Sequence, residues 1–448
     1  MIDDGTRARP TWVVSVLVGL AAALVSWLRL PGGVRGSLWA EDGVLFLQQW
    51  INDSLLHVVT PYDGYLHVVP RLVVGGVASL VPPAHTAVAI SASCCLVVGL
   101  LAAVVHVSTA DLVGSGAVRL LLAMITALGP GAAQEVLGNT ANLHWYFLWA
   151  TPWILQHRPR TWVGAAGAAV LVLVGGLSEI QLALFVALLP FVVRTVKALP
   201  AALALVSGVA IQVVVLLQHP RPPRAGPRPS AQDVTEGFLT HPVLGMVTGR
   251  WSLQGDIVNA VSWSASSVLG VVVLTGVVAA MRSGSRRGIA ALCAVGAAVV
   301  VYAAAVLLNP SELFLFSSFT PGQWAAAVAP RYAVVPTMFL LAAVVIGLDA
   351  MIASRRRAAV ITAVVVAAAL TLTLAVNAVP GPATRESHPG WAASIAAAQR
   401  GCREGIDPAQ LAISPAPDAV VISCARLAGW ASSNPLSPDV ALAATATR

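Results

Sequence analysis

The feature that most constrains this chain is its succession of apolar runs. Stretches of about 17–25 residues, long enough for a helix to cross a bilayer, recur from Trp12 to near residue 378. Backbone inside a bilayer must satisfy its own hydrogen bonds, so only helices and closed barrels span one. The runs are continuous rather than alternating, which argues against barrel strands. Only 10% of the 448 residues are charged and 57% are hydrophobic, with mean hydropathy +0.81. Soluble domains carry about 25% charge. The expectation is an all-α polytopic membrane protein. The net charge of +7 does not point to nucleic acid, because the basic residues sit in small clusters between apolar runs. All of them except Lys197 are arginine.

The apolar pattern predicts eleven spans, at 11–30, 84–107, 118–130, 144–156, 161–177, 180–193, 198–217, 263–281, 288–308, 333–349 and 358–378. The first run is too long for a signal-peptide core and reads as a retained helix. The segment 66–80 is short and contains Pro70 and Arg71, so it reads as an interfacial or dipping helix. With that count, Arg7/Arg9, Arg158/Arg160, Arg194/Lys197, Arg282/Arg286/Arg287 and Arg355–Arg357 all fall on the cytoplasmic side. If 66–80 spanned, every later loop would invert. The predicted location is the plasma membrane, N-terminus inside and C-terminus outside. Asp3, Asp4, Asp111 and Asp349 are then cytoplasmic, and every other acidic residue lies outside or at an outer helix end. Residues 1–378 form the multi-pass domain, with 31–83 as a long outer loop in which 43–57 has near-helical apolar spacing. Residues 379–448 form a small outer-face domain. Cys402 and Cys424 are its only cysteines and are expected to pair, while Cys94, Cys95 and Cys293 lie within apolar runs.

The outer face holds the candidate chemistry. Glu41-Asp42 follows the first helix directly. Adjacent carboxylates can bind a divalent cation such as Mg or Mn, or supply a general base. The competing reading is an acidic first turn favoured by the dipole of the next helix. Tyr62-Asp63-Gly64-Tyr65 is a turn signature that precedes His67 and Arg71. Four residues apart on a helix, those two would share a face and suit a lipid-linked phosphate, against plain snorkelling to headgroups. Glu135, Asn139, Asn142 and His144 form a polar island between apolar runs; Glu135 and His144 suit metal ligation or sugar hydroxyls, Asn139 and Asn142 suit sugar, and a solvated hairpin tip is the rival. Glu179 lies in a tight hairpin, facing either a cavity or solvent. Arg331-Tyr332 follows Pro330 at the mouth of a helix and suits phosphate contact or headgroup anchoring. His219 to Pro229 is a Pro-rich extended segment.

No P-loop, nucleophile elbow, His-Glu-x-x-His or Cys-x-x-Cys pattern is present, and no long cytoplasmic loop could house a nucleotide-binding domain. With Glu41-Asp42 at the start of a long outer loop after helix 1, the chain resembles the GT-C superfold of membrane glycosyltransferases. In that family an Asp-Asp, Glu-Asp or Asp-Glu pair occupies this place. The resemblance implies transfer of a sugar from a polyprenyl-phosphate-linked donor to a glycan, lipid or protein acceptor on the outer face. It implies a role for Glu41 and Asp42 alone. On this expectation Asp42, or secondarily Glu41, activates the acceptor hydroxyl for inverting attack. Arg71, Arg331 or a divalent ion stabilises the leaving phosphate. Two other readings stand beside it. One is a transporter or flippase of lipid-linked saccharides, which would keep polar groups at the midplane and show repeats. The other is a glycan polymerase or ligase on lipid-pyrophosphate donors, using arginine and histidine.

Overall fold

The computed structural model describes residues 12–326, 331–379, 383, 385–386 and 390–433. Arg7, Arg9, Asp3, Asp4, Pro330 and the end of the tail lie outside the described residues. Eleven principal helices precede the tail: α1 (Trp12–Leu28), α2 (Val68–Leu80), α3 (Thr86–Ser108), α4 (Gly116–Leu128), α5 (Leu143–Gln156), α6 (Trp162–Gly176), α7 (Leu199–Gln218), α8 (Ser264–Ser283), α9 (Ser285–Leu307), α10 (Val334–Ala353) and α11 (Arg357–Ala378). Among the described residues seven helices are long and apolar enough to cross a membrane, centred on α3, α4 and α7 to α11. The protein is therefore an all-α, multi-pass membrane protein. At 13 residues α2 is short, as its Pro70 and Arg71 led one to expect. The segment expected to span at 180–193 is a 3-10 stretch, Ile180–Leu188, with one α turn, Leu189–Val192. The expected surface helix at 43–57 is likewise irregular. It consists of a π-helical turn Asp42–Leu47, a short helix Gln48–Asp53 and a 3-10 turn Ser54–Val59.

Two helices form the centre. Every residue of α5 is buried, as is α10 from Val334 to Ala350. A helix apolar on all sides belongs inside. Trp149 of α5 meets Phe339 of α10 with ring centroids 5.4 Å apart. Because α5 is surrounded by protein, its 14 residues need not match the bilayer thickness. Around this centre, small residues let backbones approach closely, the usual device where lipid removes any hydrophobic drive between helices. A Cβ on Gly99 of α3 would lie 2.5 Å from the Gly19 carbonyl of α1, and one on Gly347 would lie 2.4 Å from Gly276 Cα of α8.

Buried polar clamps align the helix ends. Arg29, just past α1, donates to the Ala127 and Gly129 carbonyls at the end of α4 and to the Asn377 carbonyl of α11. These C-terminal carbonyls have no partner within their own helices. At the other end of the bundle, Asp349 accepts from the Gly114 and Ser115 amides before α4 and pairs with Arg287 of α9 at 2.6 Å. Arg286 donates to the Asp111 and Gln156 carbonyls. Asp111, Asp349 and the arginines of the 282–287 cluster thus share one end. Glu41, Asp63, Glu135 and Glu179 share the opposite end.

The tail forms α12 (Trp391–Arg403), an antiparallel pair β1 (Ala409–Ala412) and β2 (Ala419–Ile422), and α13 (Cys424–Ser433). Cys402 and Cys424 form the expected disulfide. This unit sits directly on the 31–83 loop. Gln48 exchanges two hydrogen bonds with the Val421 backbone, and the indoles of Trp391 and Trp430 donate to the Pro83 and Ala78 carbonyls. Arg385 donates to the Leu137 and Gly138 carbonyls.

Candidate functional site

The 62–65 turn opens one wall of a cavity at the Glu41 end. Asp63 and Gly64 adopt positive φ, 52° and 86°, and the Tyr62 and Tyr65 backbones bond to each other across the turn. This is the geometry that Asp-Gly favours in a tight hairpin. The next residues are fastened from α7 and from the turn that follows α6. Gln212 of α7 bonds both the amide and the carbonyl of Leu66, and Ser178 accepts from the Val69 amide. His67 is held at the start of α2, its ring stacked obliquely 4.1 Å from that of Tyr65. Burial, with His144 and Arg71 nearby, pushes His67 well below its usual range. It is therefore a neutral ring at pH 7, with one donor and one acceptor.

The cavity is open-mouthed, about 800 Å³, and draws on seven separated stretches of chain. Glu41, Tyr62, Asp63, His67, Asn142, His144, Glu179, Arg331 and Tyr332 all line it, so most of the expected site residues meet in one place. His144 hydrogen-bonds through Nδ1 to Glu179, whose other oxygen accepts from the Gln181 amide at 2.8 Å. The pairing fixes the ring and leaves Nε2 without a partner among the described residues. Glu179 is 1% exposed. It faces His144 and the cavity, which decides between its two sequence readings. Arg331 Nη1 pairs with Glu135 at 3.0 Å, and Nη2 lies 3.9 Å from Glu41 Oε1. The other oxygen of Glu41 is buried with no hydrogen-bond partner among the described residues. Trp145 adds an aromatic wall, 6.0 Å from Tyr332 between centroids.

Five expectations need correction. Asp42 does not line the cavity. It is 1% exposed and accepts from the Thr140 amide (2.8 Å), the Thr140 hydroxyl (2.7 Å) and the Ala141 amide (2.8 Å). Burial raises its pKa to about 6 despite those donors and nearby Arg385. Its role is to anchor the 140–141 loop. Arg71 is fully buried, donates to Gln49 and lies over the Phe46 ring at 5.1 Å. His67 precedes the helix rather than belonging to it, so the four-residue spacing does not put the two on one face. Asn139 is fully buried and bonds to the Glu135 carbonyl and to Asn142, which makes it a loop staple. Glu135 reaches the site only through Arg331. The Glu41-Asp42 pair is also divided, one carboxylate toward Arg331 and the other toward Thr140. The two do not fit a Mg or Mn ion held between them. Among the described residues no three His, Cys, Asp or Glu side chains gather as a metal-holding group.

Sequence reasoning missed Arg221, Arg224 and Asn309. Arg221 donates to Asp63 (2.9 Å), to Asn309 (2.8 Å) and to the Leu308 carbonyl (3.0 Å). Arg224 donates to Asp63 at 2.7 Å and to Asn309. The signal was present in the Pro-rich segment. A polyproline helix has three residues per turn, so arginines three apart in Arg-Pro-Pro-Arg project from the same side. No protein-family model matches the chain, and no curated protein matches it by sequence.

Proposed function

We propose that the protein is a membrane glycosyltransferase acting on a polyprenyl-phosphate-linked sugar at the outer face of the plasma membrane, within an eleven-span, GT-C-like topology. The observation that carries the reading is the single cavity in which Glu41 and the His144–Glu179 pair face Arg331 beneath the Pro-rich strap. Glu41 replaces Asp42 as the favoured base, because it lines the cavity and its carboxylate is not saturated by loop donors as that of Asp42 is. In the proposed step the acceptor hydroxyl gives its proton to Glu41 and its oxygen attacks the anomeric carbon. The bond from that carbon to the phosphate oxygen breaks with inversion, and the electron pair stays on the phosphate. Arg331 stabilises the charge that develops there. His144, held by Glu179, and Asn142 orient sugar hydroxyls, and Tyr62, Tyr65, Trp145 and Tyr332 offer flat faces for the ring. The acceptor is a glycan, lipid or protein reached through the open mouth.

A second reading keeps the cavity and changes the donor. Arg221, Arg224, Arg331 and His67 line one space, an inventory suited to a lipid-pyrophosphate and hence to a glycan polymerase or ligase. Turnover of lipid-linked sugars by purified protein in detergent tests both. The glycosyltransferase reading expects release of polyprenyl phosphate, lost in Glu41→Gln. Release of polyprenyl pyrophosphate, retained in Glu41→Gln and lost in Arg331→Ala, would replace it with the second. Counterflow of intact lipid-linked saccharide across proteoliposomes, with no bond broken, would instead indicate a transporter.

A further inference from the structure

A second cleft opens at the opposite end of the bundle, between α8, α10 and α11. Ala305 of α9 lines the first cavity and Arg287 of the same helix lines the second. At 1.5 Å per residue they lie about 27 Å apart. That is close to the hydrocarbon thickness of about 30 Å, so the clefts sit at opposite membrane surfaces. The second cleft is the larger, about 1280 Å³.

Its mouth is basic. Arg282, Arg287 and Arg356 line it together with Ser283 and Ser354, and no carboxylate does. Arg287 is committed to Asp349 and to the Leu112 carbonyl. The guanidinium groups of Arg282 and Arg356 have no partner among the described residues. From the mouth the cleft runs toward the membrane interior as an apolar groove of about 450 Å³, walled by Val271, Gly276, Val344, Leu348 and Val366. The groove and the mouth share Thr275, Met351 and Thr362. The groove has a packing origin. The Gly276–Gly347 contact draws α8 tightly onto α10, while α11 packs on α10 from another side and leaves most of its own surface uncovered.

We infer that this cleft binds an anionic phospholipid, its headgroup phosphate between Arg282 and Arg356 and one acyl chain in the groove. Charge complementarity selects the headgroup, because two unpaired guanidinium groups at a membrane surface attract phosphate. The apolar continuation selects a lipid over a soluble ion, since a free phosphate would leave the groove empty. Binding here ties α8 and α11 together across α10. The inference concerns binding alone and does not depend on the sugar-transfer reading.

Native mass spectrometry of the full-length protein in detergent tests it, with phosphatidylglycerol and phosphatidylcholine of identical chains as probes. Phosphatidylglycerol is expected to be retained preferentially. Each arginine near the surface contributes about fivefold, so Arg282→Ala with Arg356→Ala should weaken its retention by about 25-fold and leave phosphatidylcholine unchanged. Thr362→Trp, which narrows the groove and keeps the arginines, should also lose it. All three positions are exposed, so the fold survives the changes. Equal retention of the two lipids, or wild-type retention in the arginine variant, would overturn the site. If inorganic phosphate alone protects both wild type and Thr362→Trp against heat as well as the lipid protects wild type, the ligand is a soluble phosphate species and the lipid assignment falls.

Discussion

Glu41 and Asp42 are neighbours in sequence with separate fates. The Asp42 carboxylate is saturated by Thr140 and Ala141, so Asp42→Asn sets an amide N–H against at least one of those donors. A buried group left unpaired costs about 1–3 kcal/mol. The variant should melt at lower temperature, and any loss of activity should follow that loss of stability. The Glu41 carboxylate makes no hydrogen bond among the described residues and only a long ion pair, 3.9 Å, with Arg331, so Glu41→Gln costs little stability. It should leave the melting temperature nearly unchanged and reduce sugar transfer by about 10²–10⁴-fold, the usual worth of a general base. Equal activity of Glu41→Gln and wild type would end the assignment. His144 and Glu179 are a coupled pair. Glu179→Gln should let the imidazole rotate and reduce turnover, and the Glu179→Gln/His144→Gln double variant should lose little more than either single variant. Additive losses would mean that the two act separately.

At the scale of elements, the helix crossings and the tail unit carry distinct predictions. Gly99→Ala forces a Cβ to 2.5 Å from the Gly19 carbonyl, whereas Gly270 of α8 has nothing within 4 Å. Alanine favours a helix over glycine by about 1 kcal/mol. Thermal melting should therefore show Gly270→Ala neutral or stabilising and Gly99→Ala destabilising, the difference measuring the crossing. In the tail, Cys402→Ser with Cys424→Ser opens a short loop, at a cost of about 2–4 kcal/mol to that unit. Limited proteolysis should then cut within 391–433 while the helical bundle stays intact. The two-strand hairpin and its short helices are too small to bury a core alone. They obtain one by resting Trp391, Trp430 and Ile413 on the 31–83 loop.

For the whole molecule, the clamps made by Arg29 and Asp349 define two ends, and on the proposed topology the arginine-rich 282–287 end faces the cytoplasm. His219 and Ser354 are exposed at opposite ends. An impermeant maleimide on intact cells should label His219→Cys and reach Ser354→Cys only after permeabilisation. The reverse pattern would invert the topology and move the candidate cavity to the cytoplasm.

Sequence alone determined the membrane class, the position of nearly every long helix and the end at which the polar residues gather. Apolar run length and charge parity are local properties, set by the solvent each segment must face. It also pointed to the disulfide, because only two cysteines lay in the polar tail. Three-dimensional packing decided the rest. Whether a carboxylate is a base or a strut depends on which backbone amides approach it. Thr140 reaches Asp42 across nearly a hundred residues of chain, and no spacing rule carries that distance. The same holds for Arg221 and Arg224, which enter the site because the Pro-rich segment folds back over the 62–65 turn. Arg71 left it because α2 begins one residue after His67. Helix positions follow from the bilayer, whereas site membership follows from contacts between elements remote in sequence.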